Sequence, residues 1–231
     1  MTSPVPSSPD LRLASWLSPA FPIGGFSYSQ GLEQAVAEGW VPDTEALGVW
    51  LDDCLRAGPM RSDAIVLAAA WRAEATDDAA ALAEAAEMAR ALTASRERRQ
   101  EILSQGRSFA AAYDASWSSG ETSDDESVAA QAEPPYPIAL GRAAAREGCT
   151  LGETLRLFLH AAVSNQLSAA IRLTVTGQTG AQTLLVALLP EIETVAASAE
   201  QSTLDDVGSA TLRLDIASMR HETLQTRLFQ S

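Results

Sequence analysis

The sequence predicts an all-α fold: a single-domain bundle of about ten helices with a central buried helix. Three observations predict it. Alanine supplies 43 residues against 14 glycines, and Ala has the highest intrinsic helix propensity. Apolar residues recur at three- and four-residue spacing along most of the chain, the period of a helix with one buried face. No alternating strand pattern runs longer than Leu173-Thr-Val-Thr176, and that tetrapeptide reads as a helix end. With 231 residues, 46% of them hydrophobic, the chain can bury a sizeable core without disulfides or metals.

Taken in order, residues 1–10 are rich in Pro and Ser and read as a disordered N-terminal segment. Leu11, Leu13, Ala14 and Leu17 then give a first apolar face. Ser18-Pro19 stops it, because the residue before a proline is biased away from the α region. Pro19, Pro22, Gly24 and Gly25 hold residues 19–27 as loop. The helical period resumes from Tyr28 through Leu32, Ala35 and Val36, and Gly39 closes it. Asp43 or Thr44 caps the next helix, which turns Leu47, Trp50, Leu51, Cys54 and Leu55 inward until Gly58-Pro59. A helix over 61–75 follows. Thr76-Asp77-Asp78 caps another over 79–93, and a further one spans 95–117. Residues 118–135 are acidic and poor in apolar side chains, and read as a mobile surface loop. A short helix reaches Arg146. Thr150 caps a long one over 151–173, dense in Leu, Phe and Ala, which is the central candidate. Gly177 to Gly180 breaks it, and helices over 181–188, 190–200 and 203–219 complete a domain spanning 11–218. Residues 219–231 form a tail.

Charge and motif content exclude several function classes. The 16 basic residues are all Arg and face 30 acidic ones, for a net charge of −14. No basic stripe is visible, so neither nucleic acid nor an anionic membrane is an expected partner. The absence of Lys removes Schiff-base chemistry and the phosphate-cradling lysine of a P-loop. The N-terminus lacks a basic segment followed by an apolar run, and a cytoplasmic location is expected. No dinucleotide-binding, zinc-protease or nucleophile-elbow motif is present. Cys54 and Cys149 lie far apart in helical sequence and read as buried structural thiols. Adjacent carboxylates such as Asp52-Asp53 and Asp77-Asp78 would point about 100° apart on a helix and read as caps or solvated faces. Arg96-Glu97-Arg98-Arg99 with Glu101 reads as a mixed-charge helical face, or as a rim for an acidic partner. His160, among Leu157, Phe158, Leu159 and Ala161, reads as a hydrogen-bonded core or groove histidine. The alternatives are a metal ligand, the lining of a polar passage, or a general base in an all-α small-molecule enzyme.

Two segments point to binding. Ser18 to Glu33 places Phe21, Phe26 and Tyr28 on a loop shaped by Pro and Gly. Aromatics so placed suit a binding surface, or they tuck under the helices. The tail Arg220 to Ser231 sets Leu228 and Phe229 among polar residues, as in an anchor that docks into a partner groove. A frayed end is the other reading.

Together these segments resemble the UreF family of urease accessory proteins. The resemblance rests on Ser18-Pro19, Pro22, Gly24, Phe26-Ser27-Tyr28-Ser29 and Gly31-Leu32-Glu33 near the N-terminus. It continues through Arg96-Glu97, Gln105-Gly106-Arg107, Tyr136-Pro137-Ile138-Ala139, Gly141, Asn165, Ser168-Ala169, Arg172, Gly177-Gln178 and Gln182. It ends on His221-Glu222-Thr223 and Arg227-Leu228-Phe229. Leu224, Gln225 and Gln230 depart from the family pattern. The resemblance implies an all-α dimeric protein without catalysis of its own. Such a protein is a scaffold that binds UreD (also called UreH) and recruits the GTPase UreG for GTP-dependent nickel insertion into apo-urease. It implies partner-binding roles for Phe21, Phe26, Tyr28, Gln30, Glu33, Arg220, His221, Glu222, Arg227, Leu228 and Phe229. Arg96 and Arg172 are candidates to face the GTPase. No resident cofactor is expected, nickel passing through the assembly as cargo. A helical interaction protein with another partner is the remaining alternative.

Overall fold

The computed structural model describes residues 8–117 and 134–231. The expectations for residues 1–7 and 118–133 lie outside the described residues. Among the described residues the chain is helical throughout, with no strand.

Helix α1 (Pro9–Trp16) starts two residues ahead of the sequence reading. Pro9 occupies its first turn, where a missing N–H costs nothing. Helix α2 (Leu32–Ala37) is shorter than expected. Gln30 and Gly31 have φ of 54° and 83°, left-handed values that bar a helix from beginning at Tyr28. Only a single 3-10 turn, Gly25–Ser27, forms in the preceding loop. Helix α3 (Thr44–Ala57) is capped by Asp43, which accepts the Ala46 N–H at 2.9 Å. Helix α4 (Pro59–Ala75) again opens on proline. Helix α5 (Ala79–Ala91) is capped by Asp78, and α6 (Arg96–Ser116) by Ser95. Helices α7 (Tyr136–Arg146) and α8 (Leu151–Arg172) follow, with Thr150 capping α8.

The two helices expected over 181–200 are one, α9 (Gln178–Gln201), with Pro190 inside it. Proline leaves the carbonyl of Val186 without a helical donor. Val186 is exposed, so water can satisfy that carbonyl. Leu188, Ile192, Val195 and Ala199 keep one buried stripe running past the proline. The helix expected over 203–219 is instead a 3-10 turn, Leu204–Asp206, and α10 (Leu212–His221). The link between them is held on the body: the Ala210 N–H donates to the Ala57 carbonyl at 2.8 Å, and the Ser62 hydroxyl to the Gly208 carbonyl at 3.1 Å.

The centre is shared. Helix α8 buries Leu155, Phe158, Leu159, Val163 and Leu167 as expected, but α4 is buried on two sides. Its Ile65, Leu67 and Ala68 join the main core, while Val66, Ala70 and Ala73 pack with α5 in a second cluster. Small residues make this possible. A Cβ on Gly141 of α7 would stand 2.7 Å from the Leu67 carbonyl oxygen of α4, so only glycine allows that approach.

An aromatic chain ties the N-terminal loop to this body. Trp16 meets Phe109, Tyr113 and Trp117 edge-on at 6.1, 5.7 and 5.8 Å between centroids. Phe21 lies 5.3 Å from Phe109. Tyr136 bridges Phe109 and Phe158. Cys54 and Cys149 are buried free thiols, and burial pushes Cys149 up to about 11. Among the described residues no helix is long and apolar enough to cross a membrane.

Candidate functional site

The tail does not project. It folds back on the N-terminal motif, and the two join through buried carboxylates. Glu33, in the first turn of α2, accepts the backbone N–H groups of Leu228 at 2.7 Å and Phe229 at 3.1 Å. Its second oxygen also lies 3.0 Å from Nε2 of His221. His221 is 0% exposed, and its Nδ1 stands 2.7 Å from Glu97. Glu97 also takes the guanidinium of Arg227 at 2.5 Å. The last residues then pair with the motif through the backbone: the Gln230 N–H donates to the Ser27 carbonyl, and the Ser29 N–H to the Ser231 carbonyl, each at 2.8 Å. Gln166 of α8 braces this strip from below, donating to the Ser29 carbonyl at 2.9 Å.

A second carboxylate closes the far end. Glu101 is fully buried and accepts from Ser231 Oγ and Gln30 at 2.9 Å and from Gln105 at 3.2 Å. Arg98 reaches it at 2.7 Å and pairs with Asp63 through its other nitrogen. Burial would lower the Arg98 guanidinium, but Glu101 and Asp63 hold it above its ordinary value. Burial pushes the Asp63 carboxyl up, against the pull of Arg98. Such pairs persist in an interior only when every charge has its partner.

The backbone itself is tight here. Gly31 has φ 83°, and a Cβ on it would stand 2.8 Å from the Ser218 nitrogen, so α10 lies directly on the start of α2. Ser95 and Ser218 seal that junction with a hydroxyl pair at 2.7 Å.

The predicted site residues separate into an interior and an exterior set. Tyr28, Glu33, His221 and Phe229 are buried, Gln30 lies in the Glu101 cluster, and Phe21 is half-buried on the aromatic chain. Phe26 and Leu228 stand outward, 65% and 70% exposed. Arg220 pairs with Glu38 at 3.0 Å on the surface. Glu222 accepts the Arg96 N–H at 2.8 Å, while the Arg96 side chain remains largely in solvent. Arg172 is a clasp: it donates to the Phe26 carbonyl at 2.5 Å and lies 4.2 Å over the Phe229 ring. Among the departures from the family pattern, Leu224 is half-buried, and Gln225 and Gln230 face solvent.

The charged run on α6 is divided. Arg96 and Arg99 face water, whereas Glu97, Arg98 and Glu101 turn inward. Sequence reasoning took Glu97, Arg98 and Glu101 only as a mixed-charge face or a partner rim, and named no site role for Gln105, Ser29 or Gln166. A signal existed for the α6 group: Arg98, Glu101 and Gln105 share the helical spacing of Ile102 and Phe109, which are core residues.

Beside this seam lies a groove of about 420 Å³ between the N-terminal loop and α8. Leu17, Phe21, Ile23, Phe26, Leu157 and Phe158 give it apolar walls, and His160 and Asn165 add polar points. His160 is a half-buried groove residue with no hydrogen bond among the described residues. Among the described residues no three His, Cys, Asp or Glu side chains converge as a metal site.

Comparison with known proteins places this architecture. The UreF family model matches residues 41–189, the helical body from α3 to α9. The urease accessory protein UreF of Agrobacterium fabrum is 50% identical over 221 residues, 96% of each chain. Its namesake from Bradyrhizobium diazoefficiens is 48% identical over 95% of this chain and 90% of the relative. That of Xanthobacter autotrophicus is 46% identical over 96% and 90%. These longer matches cover nearly the whole chain. The chain belongs to the UreF family of urease accessory proteins.

Proposed function

We propose that this protein is a non-catalytic, cytoplasmic co-chaperone of urease maturation. It acts as a homodimeric scaffold that bridges UreD (UreH) and the GTPase UreG for GTP-dependent nickel insertion into apo-urease. The observation that carries the reading is the seam: motif and tail, far apart in sequence, make one surface. Its interior is a network of buried carboxylates and their donors, and its outer side offers Phe26, Leu228, Arg227 and Arg96. Exposed aromatic and aliphatic anchors beside arginines are the composition of a protein-binding hot spot. Phe21, Tyr28, Gln30, Glu33, His221, Glu222 and Phe229 shape that surface from beneath. Nickel is cargo in this reading. Arg96 is the better placed of the two arginines to face a GTPase, since Arg172 is engaged in the clasp; an arginine supplied in trans can stabilise phosphoryl-transfer charge.

The test is co-purification of the chain with UreD and UreG, read by size-exclusion chromatography with light scattering. A complex containing two copies of this chain is expected. Leu228→Asp and Phe26→Asp should each weaken it by at least about tenfold with helical content unchanged. A chain that elutes alone beside both partners would overturn the reading. Arg96→Ala should lower GTP turnover in the assembly, and unchanged turnover would remove Arg96 from the mechanism.

A further inference from the structure

The groove beside the seam is deep. Phe26 and Leu157 line it and are exposed, while Met60 of α4 and Ile102 of α6 also line it and are buried in the body. Its volume of about 420 Å³ falls in the range of small-molecule sites, about 300–1,000 Å³. Four aromatic side chains border it: Phe21, Phe26, Tyr136 and Phe158. Rings around a cavity favour an aromatic occupant, which gains edge-on and offset contacts beyond the area it buries.

The polar groups of the lining are of two kinds. Arg98 and Asp63 are charged but already engaged, since the guanidinium pairs with both Asp63 and Glu101. An ion entering the groove would shed its water and find no free counter-charge. The second kind lies on α8. His160, Ser164 and Asn165 line the groove, are half-buried, and have no side-chain hydrogen bond among the described residues. Asn165 reaches towards the N-terminal loop, its Oδ1 4.0 Å from the place a Cβ on Gly25 would take. Tyr136 likewise has no hydrogen bond among the described residues. Burial pushes its phenol up, so the hydroxyl keeps its proton. Carboxamide and hydroxyl groups each donate and accept without carrying charge. An occupant that fills the groove displaces their water, and must itself both donate and accept or leave them unpaired.

We infer that the groove is a binding site for an uncharged aromatic small molecule carrying one amide-like group. Its ring lies among Phe21, Tyr136 and Phe158, and its amide pairs with Asn165 and Ser164. The inference rests on this cavity alone and does not depend on the accessory-protein reading above.

The test uses the full chain and three probes of one shape: 2-naphthamide, the anion 2-naphthoate and the hydrocarbon 2-methylnaphthalene. Binding is read by probe fluorescence, and the site by amide hydrogen exchange. Naphthamide should bind once per chain and protect residues 17–26 and 157–168. Naphthoate should bind at least about tenfold more weakly, for want of a counter-charge. Asn165→Leu should abolish the preference for the amide over the hydrocarbon and leave hydrocarbon binding in place, a change that a loss of folding would not produce. Ala161→Phe fills the groove and should lower the affinity for naphthamide at least about tenfold. Leu157→Trp, at an exposed position, narrows the groove from outside and keeps the test valid if Ala161→Phe disturbs packing. Absence of saturable binding, protection elsewhere only, or unchanged affinity in both filling variants overturns the proposal. So does equal affinity for amide and hydrocarbon in the unaltered chain. Protection of 157–168 that rises with protein concentration, and to which naphthamide adds nothing, would assign the groove to a second copy of the chain and overturn it as well.

Discussion

Helices α4 and α7 bury Leu67, Ala70, Ile138 and Ala144, while α2 and the tail bury Glu33, His221, Phe229 and Ser231. Both regions exclude water, by opposite chemistry. Hydrocarbon packing in the body is non-directional and scales with the area removed from water. The seam is held by donors and acceptors that must each find a specific partner, since an orphaned buried group costs more than its bond contributes. The body therefore resists most single changes in polarity at its surface, and the seam fixes one register of the tail. It also follows that the seam can open while the body stays folded, because local openings draw on local free energies.

The largest effect belongs to the body. Phe109→Ala removes the ring that joins Trp16, Phe21, Tyr113 and Tyr136, and should cost about 3–5 kcal/mol of global stability in urea denaturation. Glu33→Ala comes next and should act locally. It strips acceptors from two backbone N–H groups and His221, at about 1–3 kcal/mol. Amides 228–230 should then exchange at least tenfold faster with the urea midpoint hardly moved. A midpoint shift as large as that of Phe109→Ala would erase the distinction between the two regions. Arg172→Gln should loosen the same amides less, by about 1 kcal/mol, through loss of the contact over Phe229. Equal exchange in wild type and variant would show that the clasp contributes nothing.

The smallest effect is a pH dependence, and it belongs to a charged cluster on the body. Burial pushes the Glu74 carboxyl up, but Arg142 and Arg146 override it and hold it below its ordinary value of 4.5. A depressed carboxyl contributes stability at all pH values above the ordinary one, and loses it as pH falls through the folded value. Glu74→Gln should therefore flatten the acid limb of the stability curve below about 4.5. Parallel acid limbs in the two proteins would mean the Arg pairs add nothing.

Much of the body was legible because helix period and caps act locally. Asp43, Asp78 and Thr150 cap where the sequence places caps. Pro190 misled, since the carbonyl it frees, that of Val186, lies on the exposed side of α9 where water can satisfy it. Tyr28 misled because the left-handed turn at Gln30 depends on α10 lying against Gly31, a contact from the far end of the chain. The seam was legible in its members but not in its direction. Motif and tail could be singled out by their unusual composition. That His221 is an interior residue, and that Glu97 faces it, follows from tertiary partners more than a hundred residues apart.

The pairing of Ser29 with Ser231 spans 202 residues, and that separation bears on how the molecule is made. On a ribosome adding roughly 5–20 residues per second, the motif emerges roughly 10–40 s before the strip that covers it. Helices α3 to α9 can form and pack in that interval through shorter-range contacts, which form sooner than distant ones. For that time Glu33 and Glu101 lack the tail as partner and stand open to water or to another chain. The seam is thus the final act of folding, and assembly during synthesis would meet the motif before its own tail does.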